Sequence, residues 1–264
     1  MRGSVISAMV LLCLLLYGTA FAAGQSKQSD IGTVTGVIHI KGGGLMKGGT
    51  VFFFDEKAGP PPSATKYWRV PTYAFEIEDN AHFTVMLPEG DYYMGAIKRQ
   101  SGQRLGPPHE GDYFFISQDE KGQPKKLRVS KDSKIDLGVL EEAVPFKRET
   151  LAQKGITSIQ GTIYDENGRP MEGMLVFAFV NPSMFGRPLF VSELSDKLGH
   201  YELRLAGEGT FFLLSRTNYG GGPRSTDELL GVYKDSKPVS VKSFTTTTGI
   251  DITVKKMGGA TSQP

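Results

Sequence analysis

Aromatic and charged side chains that could bind a ligand cluster in one loop of the chain. Tyr67, Trp68 and Arg69 are consecutive, and Tyr73 follows closely. Trp68 is the only tryptophan. An exposed aromatic ring beside a guanidinium can stack on a sugar ring or hold a partner protein. Alternatively, Trp68 and Tyr73 begin a strand that faces the core, and the residues alone leave both interpretations open.

A second candidate contact lies in a later loop, residues 181–186. Met184 and Phe185 are apolar at a place where polar side chains are the norm. Apolar loop residues often mark a contact surface. Packing over the end of a β-sandwich explains them equally well.

Catalytic and metal-binding patterns are missing from the sequence. The histidines are far apart, and none has a second His or Glu at the spacing of a zinc protease: His39, His82, His109 and His200. There is no G-x-S-x-G motif, and no pair of carboxylates stands apart from the turns. Asp165 to Gly168 resembles a calcium loop only superficially and is typical of a hairpin turn. We therefore expect no catalytic, metal or cofactor-binding residues, and hence no enzyme.

The chain contains an internal repeat, which sets its architecture. Gly36, Gly48 and Val51 recur 125 residues later as Gly161, Gly173 and Val176. Further on the offset falls to 115: Gly106, Pro108, Asp112, Ile135 and Asp136 recur as Gly221, Pro223, Asp227, Ile250 and Asp251. The first copy therefore carries about ten extra residues in its middle. Each copy is roughly a hundred residues long, which is the size of a domain and not of a solenoid repeat. The repeat therefore predicts two tandem domains.

Each copy is predicted to consist of about seven strands. The chain has 33 Gly and 15 Pro, and short apolar or alternating runs follow one another at regular intervals. Residues 175–180 form an apolar run, which is typical of a strand packed on both faces. Val176 is expected to face the core and Phe177 and Phe179 the opposite side. The extra segment of the first copy, residues 58–70, contains Gly59-Pro60-Pro61-Pro62 and predicts an exposed extended loop.

The segment between the copies, residues 141–156, is charged but also holds Val144, Phe146 and Leu151. A purely solvated linker would not need these side chains. We expect them to dock on the domains and to make the pair a semi-rigid rod.

The N-terminus resembles a secretory signal. Arg2 precedes a long apolar run, and Ala20-Phe21-Ala22 offers small residues at the positions that a signal peptidase reads. The alternative is an uncleaved membrane anchor. Cys13, the only cysteine, lies inside this segment, so the mature chain would have none, which favours a bacterial periplasm or cell surface. The formal net charge of +2 argues against nucleic acid as a partner.

The order of turns and strands resembles the carboxypeptidase regulatory-like (transthyretin/prealbumin-like) domain family. Gly161-Thr162-Ile163-Tyr164-Asp165, followed by Gly168, Pro170, Gly173 and Val176, is similar to its opening pattern, G-x-V-x-D-x-x-G-x-P-x-x-G-x-x-V. Residues 195–203, Ser-Asp-Lys-Leu-Gly-His-Tyr-Glu-Leu, are similar to its T-D-x-x-G-x-Y-x-L turn. The first copy departs from the opening pattern at residues 41–47. The resemblance implies an all-β fold of two tandem seven-stranded transthyretin-like, Ig-like β-sandwiches.

The expected organisation follows directly: signal peptide 1–22, first sandwich 31–142, linker 143–156, second sandwich 157–256 and a disordered tail 257–264. The leading hypothesis is a secreted, non-catalytic protein that acts in assembly or attachment at the cell envelope, with envelope or surface proteins as partners. The alternative is a pair of carbohydrate-binding modules that use exposed aromatic loop residues on a glycan. Membrane contact is expected only through an uncleaved signal segment.

Overall fold

The computed structural model describes residues 30–100, 106–219 and 228–256. The predicted signal peptide and C-terminal tail lie outside these residues. The described part is nearly all β-structure, with three short 3₁₀ turns at Glu56–Ala58, Arg148–Thr150 and Tyr233–Ser236. The all-β prediction is confirmed.

The strands divide between residues 31–145, the first half, and residues 157–256, the second half. The first half contains β1 (Ile31–Ile40), β2 (Thr50–Asp55), β3 (Tyr73–Glu76), β4 (His82–Pro88), β5 (Gly90–Lys98), β6 (Tyr113–Ile116), β7 (Lys126–Val129) and β8 (Lys134–Pro145). The second half contains β9 (Thr157–Tyr164), β10 (Leu175–Phe179), β11 (Phe190–Val191), β12 (His200–Leu205), β13 (Gly209–Arg216), β14 (Leu229–Val232), β15 (Val239–Val241), β16 (Thr246–Thr247), β17 (Ile252–Thr253) and β18 (Lys255–Lys256).

The two halves repeat the same strand pairing. β1 lies antiparallel to β4 and parallel to β8. Likewise, β9 lies antiparallel to β12 and parallel to β16 and β17. The ladders β2–β3, β2–β5, β5–β6, β5–β7 and β6–β8 recur as β10–β11, β10–β13, β13–β14, β13–β15 and β14–β18. In the first half, β8 therefore pairs with both β1 and β6. In the second half, β16 and β17 pair with β9, and β18 pairs with β14.

Gly36 and Gly161 occupy corresponding positions, as predicted. Gly36 of β1 lies opposite Phe83 of β4, and Gly161 of β9 lies opposite Tyr201 of β12. A Cβ on Gly161 would stand 2.0 Å from the carbonyl oxygen of Ile250, and one on Gly36 would stand 2.9 Å from the Phe83 ring. Both positions require glycine because the neighbouring groups leave no room for a side chain.

The strands form one eight-stranded sheet in the first half and a six-stranded and a four-stranded sheet in the second half. Three apolar cores lie between the sheet layers. Buried residues of the first half form one core: Val34, Ile38, Val51, Phe53, Phe83, Val85, Leu87, Tyr92, Met94, Ala96 and Phe115. A second core lies within the second half: Ile159, Ile163, Val176, Ala178, Phe190, Tyr201, Leu203, Leu205, Phe211 and Leu213. The third, which we call the shared core, draws on both halves: Phe52, Phe54, Trp68, Val70, Tyr93, Ile97, Phe114, Ile116, Phe146, Leu151, Leu175, Phe177, Phe179, Val191 and Leu214.

Strand β10 shows how the layers are specified. Val176 and Ala178 face the core of the second half, whereas Leu175, Phe177 and Phe179 face the shared core. This is the division that alternation along a strand predicts.

The expected rod is wrong, because the halves pack face to face rather than end to end. Of the three linker residues expected to dock, Phe146 and Leu151 are buried in the shared core. Val144 is instead 43% exposed, since it lies on the solvent side of β8.

Asp165 closes the hairpin turn that follows β9. Its Oδ1 accepts the backbone N–H groups of Asn167 and Arg169, each at 2.9 Å, and its Oδ2 accepts the Arg169 side chain. Asp196 binds the N–H groups of Leu198 and His200 in the same way. Gly168 and Gly199 have positive φ angles of 76° and 75°, which the turn requires. These two turns coincide with the family-like motifs of the sequence.

We predict that Val176→Asp lowers the free energy of unfolding by more than about 3 kcal/mol, because it places an unpaired charge in a fully buried site. Val180→Asp is the matched control: this side chain follows the same strand, is 63% exposed, and should change stability by less than about 0.5 kcal/mol. Chemical denaturation measures both. Equal stability of the two variants would contradict the assignment.

Asp165→Ala should destabilise the protein in a pH-dependent manner. The backbone N–H of Arg169, its side chain and the N–H of Asn167 hold the Asp165 pKa at about 2. Since the folded pKa lies below the unfolded value of about 3.9, the carboxylate stabilises the fold above that pH and ceases to do so as pH falls towards 2. The melting temperature difference between wild type and variant should therefore shrink over this interval. Glu166→Ala, at an exposed neighbour, serves as the control.

Candidate functional site

The contact between the halves contains most of the candidate residues, and the extra segment of the first copy builds it. The Val70 N–H donates to the Leu189 carbonyl at 3.0 Å, and the Val191 N–H donates to the Trp68 carbonyl at 3.0 Å. Arg69 lies opposite Phe190 as a β-bridge. Residues 68–70 thus extend the second half's sheet beyond its edge strand β11. The expectation of an exposed loop at residues 58–70 is wrong for its C-terminal part, which pairs with β11.

Trp68 faces the shared core and not solvent. It is 6% exposed and makes edge contacts with Phe114 and Phe146, at ring-centroid distances of 6.1 and 5.7 Å. Tyr67 packs edge-on against Phe190 at 5.6 Å, and its hydroxyl donates to the Pro61 carbonyl. The exposed aromatic platform considered for these residues is therefore not formed; the core-facing alternative describes Trp68.

Arg69 secures the segment to the first half. This residue is 5% exposed, and its guanidinium lies 5.4 Å from the centre of the Phe54 ring. Nη1 donates to the Pro60 carbonyl at 2.6 Å, and Nη2 donates to the Asp55 carbonyl. No carboxylate among the described residues forms an ion pair with it, and burial lowers its pKa. Its hydrogen bonds go to backbone acceptors, so its role here is to position the segment.

The other three candidates are placed differently. Met184 is half-buried against the shared core, in a left-handed conformation with φ of 47°. Phe185 projects into solvent and is 86% exposed. Tyr73 packs against the core of the first half, beside Tyr92 at 6.2 Å. Tyr67, Trp68, Arg69 and Met184 therefore belong to the contact between the halves, whereas Tyr73 and Phe185 do not.

Two buried ion pairs at this contact escaped the sequence reasoning. Arg99, at the end of β5, binds Asp112 at 2.9 Å, and Asp112 also accepts the N–H groups of Gln100 and His109. In the second half, Arg216 binds Glu228 through Nε at 2.5 Å and Nη2 at 2.9 Å.

These two acids hold the same position, immediately before β6 and β14. The strand register aligns Asp112 with Glu228, whereas the 115-residue offset had aligned it with Asp227, which lies outside the described residues. An arginine at the end of the fifth strand or directly after it in each copy, with an acid directly before the sixth, is the signal that could have found them.

Corresponding loops of the halves meet beside these pairs. A Cβ on Gly106 would stand 3.8 Å from the Tyr219 ring. The adjoining cavity of about 60 Å³ is lined in part by Phe52, Arg99 and Tyr219. Its volume suits no more than a few water molecules. Gly221 and Pro223, the second copy's counterparts of Gly106 and Pro108, lie outside the described residues.

Within the part of the chain that the structure describes, no group of three or more His, Cys, Asp or Glu could hold a metal ion. In the same residues, no helix has the length and apolar character needed to cross a membrane.

No family model matches the chain, and no curated protein sequence does either. Among solved structures, the Bacillus anthracis TIE protein is 10% identical, with 86% of this chain and 34% of that chain covered and a TM-score of 0.27. A streptococcal ancillary pilin is 12% identical, over 86% of this chain and 63% of the pilin, with a TM-score of 0.24. BcpA, the major pilin subunit of Bacillus cereus, is 12% identical, over 86% of this chain and 99% of that chain, with a TM-score of 0.26. The chain thus spans about a third of the length of the TIE protein and less than two thirds of the length of the ancillary pilin. At these TM-scores the likeness carries no conclusion about fold or function.

Trp68→Ala should lower the free energy of unfolding by about 3–5 kcal/mol, because it opens a cavity between the halves. Phe185→Ala is the matched control and should be nearly neutral, since that ring is exposed. Denaturant unfolding of both variants gives the comparison. A Trp68→Ala variant as stable as the control would place Trp68 outside the core.

Proposed function

We propose that this is an exported, non-catalytic protein in which two tandem β-sandwich domains of the carboxypeptidase regulatory-like type form one rigid block. The block serves in assembly or attachment at the cell envelope, with envelope or surface proteins as partners. The observation that carries the proposal is the shared core, closed by residues 68–70 on the edge of β11.

A permanent contact between the domains suits a structural subunit. Two independent ligand modules would need no common apolar core, and relative motion is the default unless the interface between domains is large and hydrophobic. Here eight residues of the first domain, two of the linker and five of the second domain are buried together. The block is thus built to transmit force or orientation from one domain to the other.

Export and a bacterial envelope location are supported by the sequence. Arg2, the apolar run after it and Ala20-Phe21-Ala22 form the pattern of a signal peptide. The proposed role is non-catalytic because the charged side chains at the contact between the domains are occupied in ion pairs or in binding backbone carbonyls.

The carbohydrate alternative requires exposed aromatic loop residues. Trp68 is buried, and the Tyr67 hydroxyl is bound to Pro61. The aromatic loops therefore give a glycan no platform, which leaves assembly as the better supported role for this surface.

Small-angle scattering and calorimetry should find a single compact particle that unfolds in one transition. The shared core couples the domains, so neither is expected to unfold at a markedly lower temperature than the other. A broad size distribution together with two separate transitions would contradict a rigid block.

In the native cell, the protein should be recovered from the envelope fraction with its N-terminus at Ala23, and lysine cross-linking of intact cells should place it in complexes with envelope proteins. Trp68→Ala should lower the amount of cross-linked complex more than it lowers the amount of exported protein. Phe185→Ala is again the control variant. An intact Met1 in the membrane, or a free monomer without cross-linked partners, would contradict the proposal, as would hydrolysis of peptide, ester or glycoside substrates.

A further inference from the structure

An open cleft of about 750 Å³ lies between the second half and the segment that connects the halves. One wall is the outward face of β9 and β12, which presents Gln160 and Glu202. The other consists of the connecting segment around Arg148 and Leu151 and the loop at Glu193. This volume lies within the usual range for small-molecule sites, roughly 300–1,000 Å³.

Both arginines that line the cleft already have an acidic partner within it. Arg148 binds Glu193 at 2.5 Å, and Arg204 binds Glu202 at 2.7 Å. Asp251 accepts the Thr162 N–H at 2.8 Å. The fixed charges are thus largely bound in pairs or to backbone, so the cleft presents no concentrated positive charge to an anion.

Hydrogen bonds hold the polar wall in a defined arrangement. Gln160 Nε2 donates to one Glu202 oxygen at 3.1 Å, and Arg204 Nε donates to the other. Arg204 Nη1 donates to the Ala152 carbonyl at 2.9 Å, which ties β12 to the connecting segment. A carboxylate has about four acceptor sites and a guanidinium five N–H donors, so this network leaves both kinds of group available to a ligand.

We infer that this cleft binds a neutral, polyhydroxylated ligand of about one to three sugar rings. Hydroxyl groups both donate and accept hydrogen bonds, which matches a wall that offers carboxamide, carboxylate and guanidinium groups. Four carboxylates and two guanidinium groups line the cleft, so an anionic ligand is disfavoured. Tyr67 and Phe185 do not line the cleft, and a ligand bound there is independent of the proposed assembly role.

Trp68 is the only tryptophan and lies buried at the border of the cleft, so its emission can report a bound ligand without contacting it. Maltotriose, cellotriose and chitotriose are titrated into the mature protein, with tryptophan emission and calorimetric heat as readouts. At least one should bind saturably, whereas spermidine and glucuronate should not compete. Gln160→Ala and Glu202→Ala should each weaken binding about tenfold, the loss expected for one hydrogen bond involving a charged group.

Glu166→Ala is the matched control, since Glu166 is exposed and does not line the cleft. If Glu202→Ala unfolds, Gln160→Ala decides, because it removes a single amide from an open wall. The inference is overturned if none of the three sugars binds by either readout, if binding survives both cleft variants, or if a charged probe binds more tightly. Because envelope complexes are measured separately, loss of sugar binding with intact complexes would remove this inference and leave the assembly role.

Discussion

The packing of one sheet face against another through the shared core determines the rest of this structure. An antiparallel sheet commonly packs one face on a core and presents the other to water, which gives strands that alternate between apolar and polar residues. Strands β2 and β10 depart from that pattern, with side chains such as Phe52 and Phe177 on the face away from their own half's core. Each fully buried ring of this kind contributes roughly 1.5–3 kcal/mol, an energy that is realised only if another apolar surface covers it. Separating the halves would expose all of these rings together, so the double-sided strands make sense only in the paired block.

The asymmetry between the two copies follows from this contact. A sheet edge with unpaired backbone groups invites non-native pairing, and natural proteins cover or disrupt such edges. The first copy's extra segment does this for β11, and Arg69 holds that segment by binding the carbonyls of Pro60 and Asp55. The corresponding loop of the second copy is shorter, and its Arg187 side chain donates a hydrogen bond to the Pro71 carbonyl. The long segment of the first copy and the short loop of the second therefore close a contact between otherwise equivalent faces.

Much of the secondary structure could be predicted from the sequence, because period-two alternation and turn residues report local geometry. The turns at Asp165 and Asp196, the position of Gly161 and the two faces of β10 all follow from local pattern. What covers an apolar face is a different matter: the sequence shows that Phe177 needs a partner but not which surface supplies it. For the same reason Trp68 could be read either as an exposed platform or as a core residue. The pairing of residues 68–70 with β11 was also hidden, because Pro60 to Pro62 favour an exposed loop and the pairing partner lies about 120 residues away.

Use of one face of each half for internal packing limits where other molecules can bind. The faces that remain are the outer side of the β1 and β4 pair and the outer side of the β9 and β12 pair, and both are largely polar. His82 and Thr84 point outward from β4, and His200 and Glu202 point outward from β12. Large apolar side chains on the surface are scattered, as with Met86 and Phe185, and isolated exposed apolar residues need no special explanation. Recognition by this block must therefore rely on hydrogen bonds, paired charges and loop ends more than on apolar burial. Polar contacts of this kind are weak individually, so firm attachment would require several of them at once, as repeated subunits in an assembly provide.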